Sequence, residues 1–259
     1  FYADESQLLQ IWTKNITLVP IDDLQRAVEA HRARGKPGLA FRFNLAITCA
    51  GALLERGVPA WRPQLDYIES VLWPFLRKWC RYTADELAHA VSIRLDPVGP
   101  WRRLDGTSYD PLPVELPALL ARVEELGIGN VHFSFFQVED HWKPHITRKM
   151  HAAGFQAVPP TEAEKVEWLS THLAPLAQPY IARGAFTLTT CSLEGALLKQ
   201  HFGNLIQVGA CVPELAVRRL LEAVGFTVPA HSMGRKKTGV GDGSLRVSLC
   251  SCIDIRDIG

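Results

Sequence analysis

The sequence predicts an α/β fold in which parallel strands alternate with helices and the sheet closes into a barrel. Apolar, strand-like runs alternate with helical stretches along the chain, which is typical of β/α units with a parallel sheet. A parallel strand buried between two helix layers is apolar on both faces. The strands predicted here have one apolar and one polar face, which favours a TIM-barrel-like cylinder with helices outside over an open doubly wound sheet.

The alternation is clear in the second predicted strand, where Phe41 and Phe43 lie on the face opposite Arg42 and Asn44. The third, fourth and fifth predicted strands alternate in the same way. The predicted strands are residues 7–13, 39–48, 90–98, 130–137, 185–192 and a final 245–252.

Helix signals fill the intervals between these strands. Thr83 and Glu86 have the spacing of a capping box that opens a short helix, and Pro74 predicts a break in the helix before it. The segment 99–113 is rich in proline and glycine and predicts a loop. The other predicted helices are residues 22–34, 62–82, 114–126, 143–153, 161–182, 193–202 and 213–224.

Two regions are predicted along the chain. Residues 1–225 are expected to form the barrel, and residues 226–259 a C-terminal extension that completes a four-cysteine metal site. The chain begins at Phe1 without an initiator methionine and stops at Gly259 within a patterned segment, so we expect both ends to be truncated.

Composition excludes some classes of protein. The 259 residues are 47% hydrophobic with a net charge of +1, which argues against a polyanion-binding surface spread over the whole molecule. No apolar run approaches the roughly 18 residues of a membrane span, and no signal-peptide pattern is present. We therefore expect a cytoplasmic protein without a membrane partner.

Four of the six cysteines lie in the last third of the chain. They are Cys191, Cys211, Cys250 and Cys252. The last two point to the same face of a strand, and clustered thiolates in a reducing compartment more often hold metal than form disulfides. Four thiolates suit zinc or an iron–sulfur cluster, and the alternative is that these are buried residues that never meet. Cys49 and Cys80 lack companions and are expected in the core or as incidental residues.

A second set of residues is predicted to line the barrel interior. These residues are Trp12, Lys14, Arg42, Asn44, Arg94, Asp96, Ser134 and Thr190. Charged groups in an interior are costly unless they pair or bind a ligand. Arg94 and Asp96 lie two residues apart on one strand face, which suits binding of a carboxylate or of ribose hydroxyls. The alternative is an internal ion pair that only sets the barrel's geometry.

Two other motifs are weaker. His141 and His145 have the i,i+4 spacing of a two-histidine metal site, but Pro144 between them favours surface or loop histidines. The basic run 235–237 suits either phosphate contact or a solvated loop. The sequence has no phosphate-binding glycine motif and no nucleophile elbow.

A set of short motifs runs through the chain in one order. They are Ile11-Trp12-Thr13-Lys14-Asn15, Phe41-Arg42-Phe43-Asn44, Ile93-Arg94-Leu95-Asp96-Pro97, Ser134-Phe135, Thr190-Cys191, Gly209-Ala210-Cys211, Cys250-Ser251-Cys252 and Asp257-Ile258-Gly259. In this order the chain resembles the bacterial domain-of-unknown-function family 1848 over nearly its whole length. Leu95 departs from the aromatic residue that the family has before the aspartate.

The resemblance implies a TIM-barrel-type protein related to radical S-adenosylmethionine (SAM) enzymes. It implies that the four C-terminal cysteines hold an auxiliary iron–sulfur cluster of the 4Fe–4S type, with zinc as the alternative metal. It also implies that a C-x-x-x-C-x-x-C motif for the SAM-cleaving cluster follows beyond Gly259. The interior set would then bind SAM or the substrate, with Trp12, Lys14, Arg42, Asn44, Arg94, Asp96 and Ser134 as the expected contacts.

Three functions stay open at this point. The leading expectation is an iron–sulfur, radical-SAM-like enzyme whose substrate, a small molecule or a nucleic acid, is unknown. The second is a non-catalytic barrel with a structural four-cysteine zinc site, acting as a binding module. The third is a radical-SAM enzyme of nucleic-acid repair, which only the basic run 235–237 supports. The sequence predicts neither a particular substrate nor an oligomeric state.

Overall fold

The computed structural model describes residues 7–47, 57–137, 143–190, 195–208 and 214–228. Its strands are β1 (Leu8–Thr13), β2 (Ala40–Ile47), β3 (Val91–Val98), β4 (Trp101–Arg102), β5 (Ser108–Tyr109), β6 (Asn130–Phe135), β7 (Thr187–Thr190) and β8 (Ile206–Val208). Six of them form one sheet in the spatial order β1-β2-β3-β6-β7-β8, and β4 and β5 form a separate antiparallel hairpin.

The strands of the sheet follow one another in chain order without a reversal. Every neighbouring pair in the sheet is parallel. Connections between parallel strands are right-handed, so an order of this kind carries its connecting helices on one face of the sheet. The α/β class and the parallel sheet predicted from the sequence are confirmed.

The helices occupy the intervals between the strands. They are α1 (Ile21–Ala33), α2 (Trp61–Tyr67), α3 (Trp73–Phe75), α4 (Ala84–Ala90), α5 (Leu112–Glu125), α6 (Lys143–Ala152), α7 (Glu162–Trp168), α8 (Ala174–Ala182), α9 (Gly195–Phe202) and α10 (Glu214–Ala223). A 3-10 turn covers Ile16–Leu18, and π-helical turns cover Ile68–Leu72, Leu76–Cys80 and Leu169–Leu173. Among the described helices, none is both long and apolar enough to cross a membrane.

Local sequence signals set several helix boundaries. The Thr83 backbone N–H donates to the Glu86 carboxylate at 2.8 Å, which is the predicted capping box at the start of α4. Gly35 follows α1 with a φ of +65°, a left-handed conformation that glycine adopts without steric cost. Pro74 comes just after the π-helical turn at Ile68–Leu72, where its missing donor interrupts the regular α-helical ladder.

The apolar face of the sheet forms the centre of the hydrophobic core. Phe43, Ile93 and Val131, on three adjacent strands, are each 0% exposed. The register places Ile93 beside Val131, so apolar side chains lie next to apolar side chains across the strands. Helix residues such as Leu116 pack into the same core. The predicted alternation of apolar and polar faces is therefore confirmed for β2, β3 and β6.

Two features differ from the sequence prediction. The segment 99–113, predicted as a loop, contains the β4–β5 hairpin, and α5 begins inside it. The hairpin turn is closed by Asp105, whose carboxylate accepts the backbone N–H of Thr107 at 2.9 Å. The sequence does not predict β8, because three residues are too few for a period-two pattern to stand out.

Two predictions fall beyond the described part of the chain. The final strand at 245–252 lies outside the described residues, as does most of the predicted extension. The division of the chain at residues 225 and 226 therefore stays a prediction.

Two valines of α5 test how strongly the core holds the sheet and helices together. Val123 is 0% exposed and Val114 is 82% exposed. We expect Val123→Ala to lower the free energy of unfolding by about 2 kcal/mol, because two buried carbons are lost and a cavity remains. Val114→Ala should change the free energy by no more than about 0.5 kcal/mol. Urea unfolding measures both, and equal losses would contradict the assignment of α5's buried face.

Candidate functional site

Most of the polar face of the sheet is buried, as its apolar face is. We use the name polar-face cluster for nine residues on four adjacent strands. They are Arg42 and Asn44 on β2, Ser92, Arg94 and Asp96 on β3, Asn130, His132 and Ser134 on β6, and Thr189 on β7. Arg42 is 1% exposed, Arg94 is 5% exposed, and Asn44 and His132 are 0% exposed. Two guanidinium groups are thus held away from water on one sheet face.

Strand register brings these side chains together. Asn44 pairs with Ser92 across β2 and β3, and Arg94 pairs with His132 across β3 and β6. His132 in turn pairs with Thr189 on β7. Parallel strands in register point paired side chains to the same face, so the cluster forms wherever each strand places a polar residue at the aligned position.

A chain of hydrogen bonds links β2 to β7 through the cluster. The Arg42 guanidinium donates to Asn44 Oδ1 at 2.7 Å and to Ser92 Oγ at 2.9 Å. Ser92 Oγ donates to the Asn130 side-chain oxygen, and Asn130 Nδ2 donates to Thr189 Oγ1 at 3.3 Å. Hydrogen bonds of this kind fix side-chain positions in a low-dielectric interior.

A second group lies toward the carboxyl ends of the strands. Arg94 Nη2 is 3.1 Å from Asp96 Oδ2, and the Ser134 hydroxyl donates to Asp96 Oδ1 at 2.6 Å. The guanidinium carbon of Arg94 lies 4.7 Å from the centroid of the Trp12 ring, within cation–π range. The Asp96 side chain is 20% exposed, whereas the side chain of its partner Arg94 is 6% exposed. The ion pair that the sequence left as an alternative is therefore present.

The ion pair with Asp96 involves one guanidinium nitrogen of Arg94, Nη2. Within the described residues, Arg94 Nε and Nη1 and Asn44 Nδ2 are buried and have no hydrogen-bond acceptor. A buried donor without an acceptor costs roughly 1–3 kcal/mol, which makes such atoms rare in folded proteins. All three atoms are donors, so a group that satisfies them has to supply hydrogen-bond acceptors.

The electrostatics of the cluster keep its histidine neutral. Burial, together with the nearby charges of Arg94 and Arg42, lowers the pKa of His132 from 6.5 to about 2, and burial is the largest cause. The ring Nδ1 lies 3.1 Å from Thr189 Oγ1. At neutral pH the positive charges of the cluster therefore come from its arginines, and His132 acts only as a neutral hydrogen-bonding group.

The structure brings together most of the residues predicted to line the interior. Trp12, Arg42, Asn44, Arg94, Asp96 and Ser134 lie on neighbouring strands as described above. Lys14 comes directly after β1 and is half-buried. Thr190 does not lie on the polar face, although the sequence analysis placed it in the interior set. It pairs with Phe133 across the strands, and its hydroxyl donates to the Phe133 carbonyl oxygen at 3.0 Å. Its neighbour Thr189 occupies the polar face.

The sequence prediction omitted four members of the cluster. They are Ser92, Asn130, His132 and Thr189. The alternation that singles out Arg42 and Arg94 also puts these four on the polar face, so the signal was available in the same strands. Their contribution depends on the register between strands, which the sequence does not specify.

Several predicted sites lie outside the described residues. These are the four expected metal ligands Cys191, Cys211, Cys250 and Cys252, together with Cys49, His141 and the basic run 235–237. His145 is exposed on α6, in agreement with a surface histidine. Within residues 7–47, 57–137, 143–190, 195–208 and 214–228, no group of three or more His, Cys, Asp or Glu side chains is placed to hold a metal ion.

Cys80 behaves as the core residue that was predicted. It is buried at 2% exposure, and its thiol donates to the Leu39 carbonyl oxygen at 3.7 Å. Burial raises the pKa of the Cys80 thiol to about 12, so it stays protonated and unreactive.

Comparison with known proteins leaves the family assignment open. No protein-family model matches the chain, and no curated protein is significantly similar to it. The resemblance to the domain-of-unknown-function family therefore rests on the ordered motifs, several of which supply residues of the polar-face cluster.

The buried histidine predicts a pH dependence of stability. The pKa of His132 is 6.5 in the unfolded chain and about 2 in the folded protein, so the unfolded chain binds the extra proton between these values. Above pH 6.5 His132 is neutral in both states and does not lower the free energy of unfolding. As the pH falls from 6.5 toward 2, protonation of His132 in the unfolded chain lowers the free energy of unfolding progressively. We expect His132→Asn to flatten the slope of unfolding free energy against pH by up to about 1.4 kcal/mol per pH unit between pH ~6 and ~4.

Urea unfolding at a series of pH values measures this slope. The control is His151→Asn, which changes an exposed histidine of α6 and should leave the slope as in the wild type. A His132→Asn slope equal to that of the wild type would contradict a histidine held neutral by burial.

Proposed function

We propose that the polar-face cluster is the ligand-binding surface of an enzyme that acts on a small molecule. The observation that carries this proposal is Arg94, a 5%-exposed arginine with two buried nitrogens that have no acceptor among the described residues. A protein gains nothing in stability from such a group, because a buried ion pair is often no better than well-packed apolar residues. Binding of a ligand with oxygen acceptors supplies the missing partners.

We propose that the sheet closes into a TIM-barrel-like cylinder with this cluster inside. The chain order of the six strands supports the closure, because doubly wound sheets reverse their order at a switch point. The single polar face supports it as well, since the helices of a barrel cover only the outer face. Asp96 and Ser134 lie near the carboxyl ends of β3 and β6, the end at which β/α barrels place their active sites.

We further propose an iron–sulfur cluster held by Cys191, Cys211, Cys250 and Cys252. The support is the residue type and the motif order, together with the position of Cys191 in the sequence directly after β7. If these four cysteines held such a cluster, it would supply redox chemistry to the reaction. The residues of the chain bind and orient the ligand: Arg94 holds its acceptor atoms, and Asp96 and Ser134 fix Arg94.

Exclusion of water is the second task of the chain's own residues. The cluster is closed to solvent at Arg42 and His132, which are 1% and 0% exposed. A dry site strengthens electrostatic contacts with a bound ligand and protects reactive intermediates from side reactions. The permanent charge of arginine suits this environment, because its protonation does not change on burial.

Metal analysis after anaerobic purification tests the iron–sulfur part of the proposal. We expect iron and acid-labile sulfide in the coloured protein, and loss of most of both in Cys191→Ser and Cys250→Ser. Cys80→Ala is the matched control, because Cys80 is a buried core thiol and its loss should leave the iron content per folded chain unchanged.

Two outcomes would contradict this part of the proposal. A colourless protein without iron would overturn it. Zinc at about one ion per chain, lost in the same cysteine variants, would favour the non-catalytic barrel with a structural zinc site instead.

A further inference from the structure

Two stretches of the chain are rich in basic residues and contain no acidic residue. Residues 31–36 lie around the end of α1, and residues 77–81 lie at the end of the helical segment that begins with α2. Together they hold six Lys and Arg and no Asp or Glu. The whole chain has 28 Lys and Arg against 27 Asp and Glu, so without these six the rest of the chain carries a net charge of −5. Positive charge is therefore concentrated in two short stretches.

The fold brings the two stretches side by side. Arg32 Nη2 donates to the Trp79 carbonyl oxygen at 2.7 Å, and the Arg32 guanidinium carbon lies 5.7 Å from the centroid of the Trp79 ring. Lys78 Nζ lies 5.0 Å from the centroid of the same ring. The hydrogen bond from the Cys80 thiol to the Leu39 carbonyl oxygen ties the second stretch to the start of β2. The two helix ends thus form one surface.

All six basic residues on this surface are exposed, and we call them the amino-end basic patch. They are Arg32, Arg34, Lys36, Arg77, Lys78 and Arg81. The patch lies beside the amino end of β2, whereas Asp96 and Ser134 lie near the carboxyl ends of β3 and β6. The amino and carboxyl ends of parallel strands lie at opposite edges of a sheet. A partner bound to the patch therefore leaves the carboxyl edge of the polar-face cluster open.

The acidic residues that flank the two stretches in the sequence have partners of their own. Asp85 forms an ion pair with Arg219, and Glu86 accepts the backbone N–H of the capping box at the start of α4. Within the part of the chain that the structure describes, Arg77 and Arg81 form no ion pair. The charge of these two side chains is available to a partner in solution.

Stabilisation of the helix ends accounts for only part of the patch. A cation in the last turn of a helix interacts favourably with the helix dipole, and three of the six residues lie in such turns. The other three lie beyond the last turn. One of them, Arg81, has a φ of +60° and is the one non-glycine residue with a positive φ among the described residues. Glycine adopts this conformation without steric cost, so local stability favours glycine over arginine at this position.

The composition of the patch favours a nucleic acid over a protein or a membrane as partner. Charged residues are depleted in the core of protein–protein interfaces. Basic surfaces that bind membranes also carry apolar side chains that enter the lipid. The large exposed apolar side chains of the described residues all lie outside the two stretches: Leu18, Leu104, Val114, Val158 and Leu215. A phosphodiester backbone requires clustered cations and no apolar contact.

We propose that the amino-end basic patch binds the phosphate backbone of a nucleic acid. Contacts to phosphates carry no sequence information directly, so we expect binding without strong sequence preference. The inference is independent of the ligand proposed for the polar-face cluster, because the two surfaces share no residue.

Fluorescence anisotropy with the full chain tests the inference. The probes are a labelled DNA duplex of about 20 base pairs and a labelled single-stranded RNA of about 20 nucleotides. We expect at least one probe to bind, and its affinity to fall at least roughly 10-fold between about 50 and 200 mM salt as counterions compete for the phosphates. Binding of neither probe at about 50 mM salt would overturn the inference.

Two triple variants with the same loss of charge locate the binding surface. The patch variant is Arg77→Gln, Lys78→Gln and Arg81→Gln. The control variant is Arg148→Gln, Lys149→Gln and Lys199→Gln, which changes three exposed cations outside the patch. The patch variant should weaken binding at least roughly 10-fold and reduce the slope of log affinity against log salt by about 2 to 3. The control should weaken binding by less than about 2-fold. Equal weakening by both would show that only net charge matters and would overturn the inference.

A single variant separates binding from folding. Arg81→Gly removes one cation and suits the left-handed backbone, so its urea midpoint should equal or exceed that of the wild type. Its affinity for the probe should still fall, by roughly 2-fold to 5-fold. Unchanged binding in both Arg81→Gly and the patch variant would contradict the assignment of the patch.

Two further probes stand for the other classes of partner. They are vesicles that contain phosphatidylserine, and polyglutamate of a charge similar to that of the DNA duplex. The inference expects both to bind more weakly than the tighter nucleic-acid probe at the same salt concentration. Tighter binding of the vesicles would assign the patch to a membrane surface, and tighter binding of polyglutamate would assign it to an acidic protein. Either result would overturn the inference.

Discussion

The burial of two arginine side chains on one face of a parallel sheet is the constraint on which the rest of this structure depends. A guanidinium group carries a permanent charge and presents only donors, so the residues around Arg42 and Arg94 have to supply acceptors. For Arg42 these include Asn44 and Ser92, and for Arg94 they include Asp96. The aligned register of β2, β3, β6 and β7 is what brings the partners within reach.

The arrangement of the sheet explains how such a face stays out of water. Six strands in chain order place their connecting helices on one side, where Phe43, Ile93 and Val131 form the core. The other side is left for polar residues, and it is nevertheless buried. Among the described residues this buried polar network is incompletely satisfied, which makes it a poor source of stability and is the reason for our proposal that it binds a ligand.

Much of the fold could be predicted from the sequence because period-two alternation and capping signals are local. They place Arg42 and Asn44 opposite Phe43, and they begin α4 at Thr83. Cross-strand register is not local, so the roles of Asn130 and His132 in the cluster emerge only from the structure. Thr190 shows how sharply register matters, because a shift of one residue moves a side chain to the other face. The short β8 and the β4–β5 hairpin contain too few residues to leave a pattern.

The Arg94 donors that have no acceptor among the described residues are the most direct point at which to test this account. The measurement is the hydrogen-exchange rate of the Arg94 Nε–H by nuclear magnetic resonance, in isotope-labelled protein with and without a bound ligand of the polar-face cluster. The account predicts that this N–H gains an acceptor on binding, so its exchange slows and its resonance shifts. An Nε–H that is equally protected in the ligand-free protein and unchanged by the ligand would show that the protein itself satisfies Arg94, and would contradict the account.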